Sequence, residues 1–197
     1  MFRYFIIYKP YLVLSQFSPI EGKKTLADYF IVPIDVYPVG RLDYDSEGLL
    51  ILTNDKLLNN RLLNPKFEHE REYWVQVDGA ITFEGINNLN KGVEINMDGK
   101  LYKTKTCQAS IFDNEPPVPE RNPPIRFRKE IPAPWIKLVL QEGKNRQVRK
   151  MTACIGFPTL RLIRYRIKKI TIDGIAPGEM KEFTKDQVYK LLFYTNH

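Results

Sequence analysis

Seven of the fourteen prolines in this 197-residue chain fall between residues 113 and 134. Pro116, Pro117, Pro119, Pro123, Pro124, Pro132 and Pro134 lack an amide donor and fix their own backbone torsion, so this stretch is barred from being a helix or a central strand. It must be a long connection, and it divides the chain into a larger part before it and a smaller part after it. It also carries Arg121, Arg126, Arg128 and Lys129. Either it is a plain surface link, or it is a working loop whose basic residues suit a nucleic-acid partner.

The elements on either side follow from periodicity and punctuation. Residues Phe2 to Leu14 read as a strand broken at Lys9-Pro10, and Thr25 to Phe30 as a short helix capped by Thr25. Leu49-Leu50-Ile51-Leu52-Thr53 is an uninterrupted run, as in a strand buried on both faces. Lys56 to Leu63 reads as an amphipathic helix, Glu72 to Val77 as a strand, and Thr82 to Asn90 as a helix ended by Gly92. Met97-Asp98-Gly99-Lys100 is a hairpin turn, and Cys107 to Phe112 is a strand. Beyond the prolines come a strand over Trp135 to Leu140 and a helix over Asn145 to Cys154 capped by Asn145. A long strand over Thr159 to Ile170 follows, then a terminal helix over Asp186 to Phe193. Hairpins mixed with separated helices predict an α+β fold with a mainly antiparallel sheet.

At this length, with 43% hydrophobic residues, one sizeable core or one domain with two lobes is expected. No apolar stretch is long enough to span a bilayer. The N-terminus is interrupted by Arg3, Lys9 and Pro10 and reads as a strand rather than a signal peptide, which predicts a cytoplasmic protein. Cys107 and Cys154 stand far apart and are expected to be reduced thiols in packed positions. With only His69 and His197 beside them, a zinc site lacks ligands.

The net charge is +7, and its distribution matters more than its size. From Gly143 to Lys169 there are nine basic residues and no acid. A solvated face would mix signs, so phosphate contact is the favoured reading of this run. Within it Ile163, Tyr165 and Ile167 alternate with Arg164, Arg166 and Lys168, which predicts one apolar and one basic face.

Three acids at alternate positions, Asp43, Asp45 and Glu47, precede Gly48 and open like a calcium loop. The pattern then fails. The twelfth position is Asn54, the ninth is Ile51 inside the apolar run, and no helix precedes Asp43. The alternatives are ordinary loop acids, or one carboxylate aimed by the rigid strand behind it, as a nucleophile or base requires.

GRLDYDSEGLLILTND at 40–55 resembles the central motif of the pseudouridine synthases, in the branch that modifies bacterial ribosomal RNA. IIYKP at 6–10 is similar to the first motif of that branch, with Tyr8 where Asn is common. REYWVQVDG at 71–79 resembles the strand with the family tyrosine, and EGKNRQVRKMTACIGFPTLRLIRYRI at 142–167 the third motif. IAPGE at 175–179 fits the family's end. SQFSPIEGKKTLADYF, PPIRFRK and GFPTLRLIRYRI look most like the E-type subgroup, which modifies one uridine of large-subunit (23S) ribosomal RNA. The resemblance implies a pseudouridine synthase fold with two lobes around a basic cleft, in a single catalytic domain over 1–197. No N-terminal S4-type RNA-binding module is expected.

The same resemblance implies the chemistry. Uridine becomes pseudouridine without a cofactor or metal, with Asp43 as nucleophile or base. Arg149 is expected to pair with Asp43 and keep it ionised. Tyr73 is expected to stack on the extruded uracil, Val148 to supply an apolar wall, and Arg41 to fill the gap the base leaves. Trp74, on the opposite face to Tyr73, is expected in the core, and Lys9 in a structural place near the site. Candidates for the RNA backbone are Arg121, Arg126, Arg128, Lys144, Arg146, Lys150, Arg164, Arg166 and Lys168. The partner is ribosomal RNA and the protein is expected to be a monomer. Transfer RNA as substrate, a noncatalytic ribosome assembly factor and a metal-dependent nuclease are the competing readings.

Overall fold

The computed structural model describes residues 1–125 and 130–194. The chain divides into two compact units, Met1–His69 with Ile163–His197, and Glu70–Leu162. In chain order the first unit holds β1 (Tyr4–Lys9), β2 (Val13–Leu14), β3 (Lys24–Thr25), β4 (Tyr37–Pro38), β5 (Glu47–Thr53) and α1 (Lys56–Leu63). The second holds β6 (Arg71–Val77), α2 (Phe83–Lys91), β7 (Glu94–Met97), β8 (Lys100–Lys103), β9 (Gln108–Ile111), β10 (Trp135–Leu140) and α3 (Gln147–Cys154). β11 (Thr159–Ile167) starts in the second unit and ends in the first, followed by β12 (Ile170–Thr171), β13 (Met180–Phe183) and α4 (Lys185–Phe193).

The first unit is built on β5, which is buried at every position. β1 pairs with it antiparallel, Lys9 opposite Gly48 and Tyr4 opposite Thr53. On its other edge β11 pairs parallel through Ile163–Glu47 and Arg164–Gly48, and β4 pairs antiparallel further along. β13 covers the free edge of β1. Phe5, Ile7, Leu50 and Leu52 project to one face and pack with Val13, Leu26, Phe30 and Val36. Tyr4 projects to the alternate face. There its hydroxyl and that of Tyr189 on α4 both donate to Asp55, at 2.7 and 2.8 Å. Asp55 also caps α1 by accepting from Leu57 N and Leu58 N. One buried carboxylate thus ties β1, α1 and α4 together.

The second unit carries an antiparallel β6-β10-β9 sheet, Leu138 opposite both Tyr73 and Ala109. Val75, Val77, Ile136 and Leu138 pack with Ile86 and Leu89 of α2 and with Val148 and Met151 of α3. β7 and β8 form a separate hairpin turned at Asp98-Gly99, both with positive φ as a tight two-residue turn requires.

Most expected elements are present, with differences that have local causes. Thr25 caps a single 3-10 turn, Leu26–Asp28, rather than a longer helix; Thr25 N donates to Asp28 Oδ2 at 2.7 Å. The helix expected from Asn145 starts at Gln147, because Arg146 sits in the left-handed region at φ 52° and is the cap residue. The long strand expected to Ile170 stops at Ile167. Lys168 turns at φ 51° and β12 folds back, Ile170 opposite Ile167. β13, mostly exposed on an edge, carries no apolar alternation to read. Among the described residues of 113–134 there is neither helix nor strand. No helix among the described residues is long and apolar enough to cross a membrane. Cys107 and Cys154 are free thiols, but Cys154 is exposed rather than packed. Trp74 is half-buried, edge-on to Phe112 at 5.4 Å, and outside the main core cluster.

Candidate active site

In the first unit the acidic stretch is held from below and from both ends. Ser15 is buried, and its Oγ donates to Leu42 O at 2.8 Å while accepting from Leu42 N at 3.1 Å. The residue immediately before Asp43 is therefore clamped at both backbone groups. Ser46 N donates to Asp43 O at 3.1 Å and closes the next turn. Asp43 itself is only half-buried. Arg41, two residues earlier, is exposed.

Beyond the turn the chain has no freedom. Gly48 has φ +104°, and a Cβ there would stand 2.8 Å from Arg164 N and closer still to its carbonyl oxygen. Only glycine fits this approach of β5 to β11. Arg164 Nε then donates to Leu49 O at 2.8 Å. Arg164 is buried, so it belongs to the mount of this loop and not to the open basic face that its alternation suggests.

Lys9 lies fully buried at the end of β1, opposite Gly48. Its ammonium donates to Pro10 O at 2.9 Å and Val13 O at 2.7 Å. Burial pushes its pKa down to about 7, and Arg164 adds to the lowering. Glu47, Asp45 and Asp43, in that order of effect, pull it back up. This gives the two companion acids a role: they offset a buried cation beneath the Asp43 turn. Glu47 is itself buried. The twelfth position of the would-be calcium loop, Asn54, is engaged elsewhere, accepting from Arg3 N and donating to Asp35.

In the second unit Tyr73 is half-buried on β6, against the core that also holds Val148. Val148 is buried and Arg149 half-buried on α3. Lys150 turns its Nζ to the Met97 sulfur at 3.4 Å. Arg121 donates to Pro123 O at 2.9 Å and Leu160 O at 3.4 Å. Lys144 and Arg146 are exposed. Back in the first unit Arg166 and Lys168 are half-buried, Arg166 donating to Lys168 O at 2.6 Å. Arg126 and Arg128 lie outside the described residues. Ser15 and Glu142 lie inside stretches that carry the family resemblance, but neither residue type nor spacing marks the structural weight they carry. Each shows only through its hydrogen bonds.

A profile of the RNA pseudouridylate synthase family matches residues 3–154. The chain belongs to this family. The matched span contains the clamped Asp43 turn, Tyr73 and Arg149 of this pseudouridylate synthase. Among curated relatives, a ribosomal large subunit pseudouridine synthase E of Vibrio parahaemolyticus is 51% identical over 177 residues, covering 90% of this chain and 72% of that protein. One of the same name from Xanthomonas axonopodis is 47% identical, covering 87% and 89%. A ribosomal large subunit pseudouridine synthase B of Bacillus subtilis is 33% identical, covering 98% and 73%. Among solved structures, a crystal structure of a pseudouridylate synthase superposes with a TM-score of 0.79 at 23% identity, covering 98% of this chain and 74% of that one. That likeness fixes the fold as the pseudouridine synthase fold, α+β with a mixed, mainly antiparallel sheet.

Proposed function

We propose that this pseudouridine synthase isomerises uridine to pseudouridine in large-subunit ribosomal RNA, with Asp43 as the reactive carboxylate. The observation that carries the substrate is the shared name of relatives 42% to 51% identical, each a ribosomal large subunit pseudouridine synthase E. The clamp on Leu42 supports the choice of Asp43 among the three acids. It fixes the backbone beside that carboxylate.

The bond from N1 of uracil to the ribose breaks, the base turns, and C5 bonds to the same carbon. The C5 proton leaves and N1 gains one, so nothing is oxidised and no co-reactant is consumed. Asp43 attacks the sugar or takes its 2′ proton. Tyr73 stacks on the freed uracil against Val148, and Arg149 favours the ionised carboxylate. Arg41, exposed beside the reactive turn, fills the gap left by the flipped base, offsetting part of a cost of a few kcal/mol. The chain acts as one catalytic domain with a basic cleft, as a monomer in the cytoplasm. Arg121, Arg126, Arg128, Lys144, Arg146, Lys150, Arg166 and Lys168 meet the RNA backbone.

The test uses purified protein on transcripts of large-subunit ribosomal RNA and of transfer RNA, with pseudouridine mapped at nucleotide resolution. Conversion at a single large-subunit uridine is expected. Conversion of transfer RNA alone would move the substrate, and conversion of neither would remove the reading.

A further inference from the structure

Glu142 is a buried carboxylate in the most basic part of the chain, two residues past the end of β10. It accepts three hydrogen bonds. Tyr102 Oη on β8 donates to Oε2 at 2.6 Å, and Lys105 N and Gln147 Nε2 donate to Oε1 at 2.9 and 2.5 Å. Gln147, also buried, uses the other end of its amide to accept from Lys144 N at 2.9 Å, and its own N donates to Lys144 O at 3.1 Å. Both backbone groups of Lys144 are thereby fixed. Its side chain is aimed as well, with Nζ 5.0 Å from the centre of the Tyr102 ring.

Residues 143–146 are all exposed. Four exposed residues between a strand and a helix would ordinarily be free to move. Here the Gln147 amide, itself tied to the desolvated Glu142 carboxylate, holds Lys144 at both backbone groups, at the cost that burying such groups carries. Arg146 is kept in the left-handed region, which a residue with a side chain adopts only when its surroundings impose it. Glu142, the acid that precedes the loop, has its charge taken up by three donors. What the loop shows to solvent is a lysine whose backbone and side chain are both set in advance. That arrangement suits a single phosphate, which a lysine meets as a point charge.

We propose that Glu142, Tyr102 and Gln147 are positioning residues that present Lys144 to a backbone phosphate of the RNA substrate. The proposal rests on the reading that this chain acts on RNA. A phosphate contact sets affinity and register and not the choice of base. Its loss therefore appears in binding and KM rather than in the chemical step.

The test compares wild type, Tyr102→Phe, Lys144→Ala and the double variant, on a transcript of large-subunit ribosomal RNA. Tyr102→Phe keeps the ring under Lys144 and removes only the hydroxyl that anchors Glu142. Each single variant is expected to raise both Kd and KM by about 3- to 10-fold with kcat held, the span of one hydrogen bond or charge contact. Lys144→Ala is expected to lower the salt slope of binding by about one ion. The double variant is expected to be no weaker than Lys144→Ala, because the tyrosine acts through the lysine. Fully additive effects, an unchanged Kd in Lys144→Ala, or a fall in kcat at constant KM would each overturn the proposal. Lys144→Ala is a surface change, so its binding result stands if Tyr102→Phe folds poorly. Wild-type turnover on the same transcript tests the underlying reading separately, because binding ratios between variants are measured without it.

Discussion

Gly48 and Arg164 meet backbone to backbone. A Cβ on Gly48 would stand 2.8 Å from Arg164 N, and the two residues are register partners where β5 and β11 run parallel. The contact locks the strand behind the acidic turn against the strand that carries the basic stretch. Gly48 adds φ +104°, which other residues avoid. Gly48→Ala is therefore expected to lose about 2–4 kcal/mol of stability, from strain and steric conflict together. Urea unfolding measures this, and a loss under about 0.5 kcal/mol, the range of a neutral surface change, would show that the approach is not tight.

Ser15 exchanges two hydrogen bonds with Leu42, one residue before Asp43. Ser15→Ala leaves both buried backbone groups of Leu42 to find other partners. Loosening the turn misplaces the carboxylate, so kcat is expected to fall by roughly 10- to 100-fold with KM little changed. Single-turnover kinetics separate this from weaker binding, and a change confined to KM would contradict it.

Lys9 makes stability depend on pH. Burial holds its pKa at about 7, against about 10.4 for an exposed lysine. Below about 7 it is protonated in both states and contributes no slope. Between about 7 and about 10.4 the folded chain has released the proton and the unfolded chain still holds it. The unfolded state binds more protons there, so stability rises with pH across that window. Denaturant midpoints measured from neutral to alkaline pH should rise less steeply in Lys9→Met than in wild type. Parallel curves would place the titration elsewhere.

Asp55 also makes stability rise with pH, but in the acid range and through its charged form. Burial alone would raise its pKa, but hydrogen bonds from Tyr4, Tyr189, Leu58 N and Leu57 N outweigh it and hold the carboxylate below its ordinary value. Its contribution is present above about pH 3.9, the unfolded value, and is lost as pH falls through the lower folded one. Asp55→Ala removes a helix cap and strands two tyrosine hydroxyls, an expected cost of about 2–4 kcal/mol near neutral pH. That cost should shrink in acid, and a pH-independent difference between variant and wild type would contradict the assignment.

The parts of the fold that were legible are those whose side chains repeat. β5 reads as an unbroken apolar run because it is buried on both faces, and α2 reads from Thr82 to Gly92 because its cap and stop are residue types that do little else. β13 was not legible. It borrows its stability from β1 and exposes most of its side chains. The shift of α3 to Gln147 was hidden for a related reason, since Asn145 is the better cap by type and the left-handed backbone of Arg146 moves the start of the helix. The acidic turn was half legible. Its spacing excluded a calcium loop, but Asp45 and Glu47 gained a role only when Lys9 proved to be buried beneath them. A strand that alternates cations with apolar residues predicts an open basic face. Arg164 departs from it because its guanidinium serves Leu49 O.

The central claim is that Asp43, alone of the three acids, performs the reaction on large-subunit ribosomal RNA. The most direct measurement maps pseudouridine in that RNA from cells lacking this protein and supplied with wild type, Asp43→Asn or Asp45→Asn. Wild type is expected to restore one missing pseudouridine, Asp45→Asn to restore it at least in part, and Asp43→Asn to fold and leave it missing. Full restoration by Asp43→Asn would contradict the account.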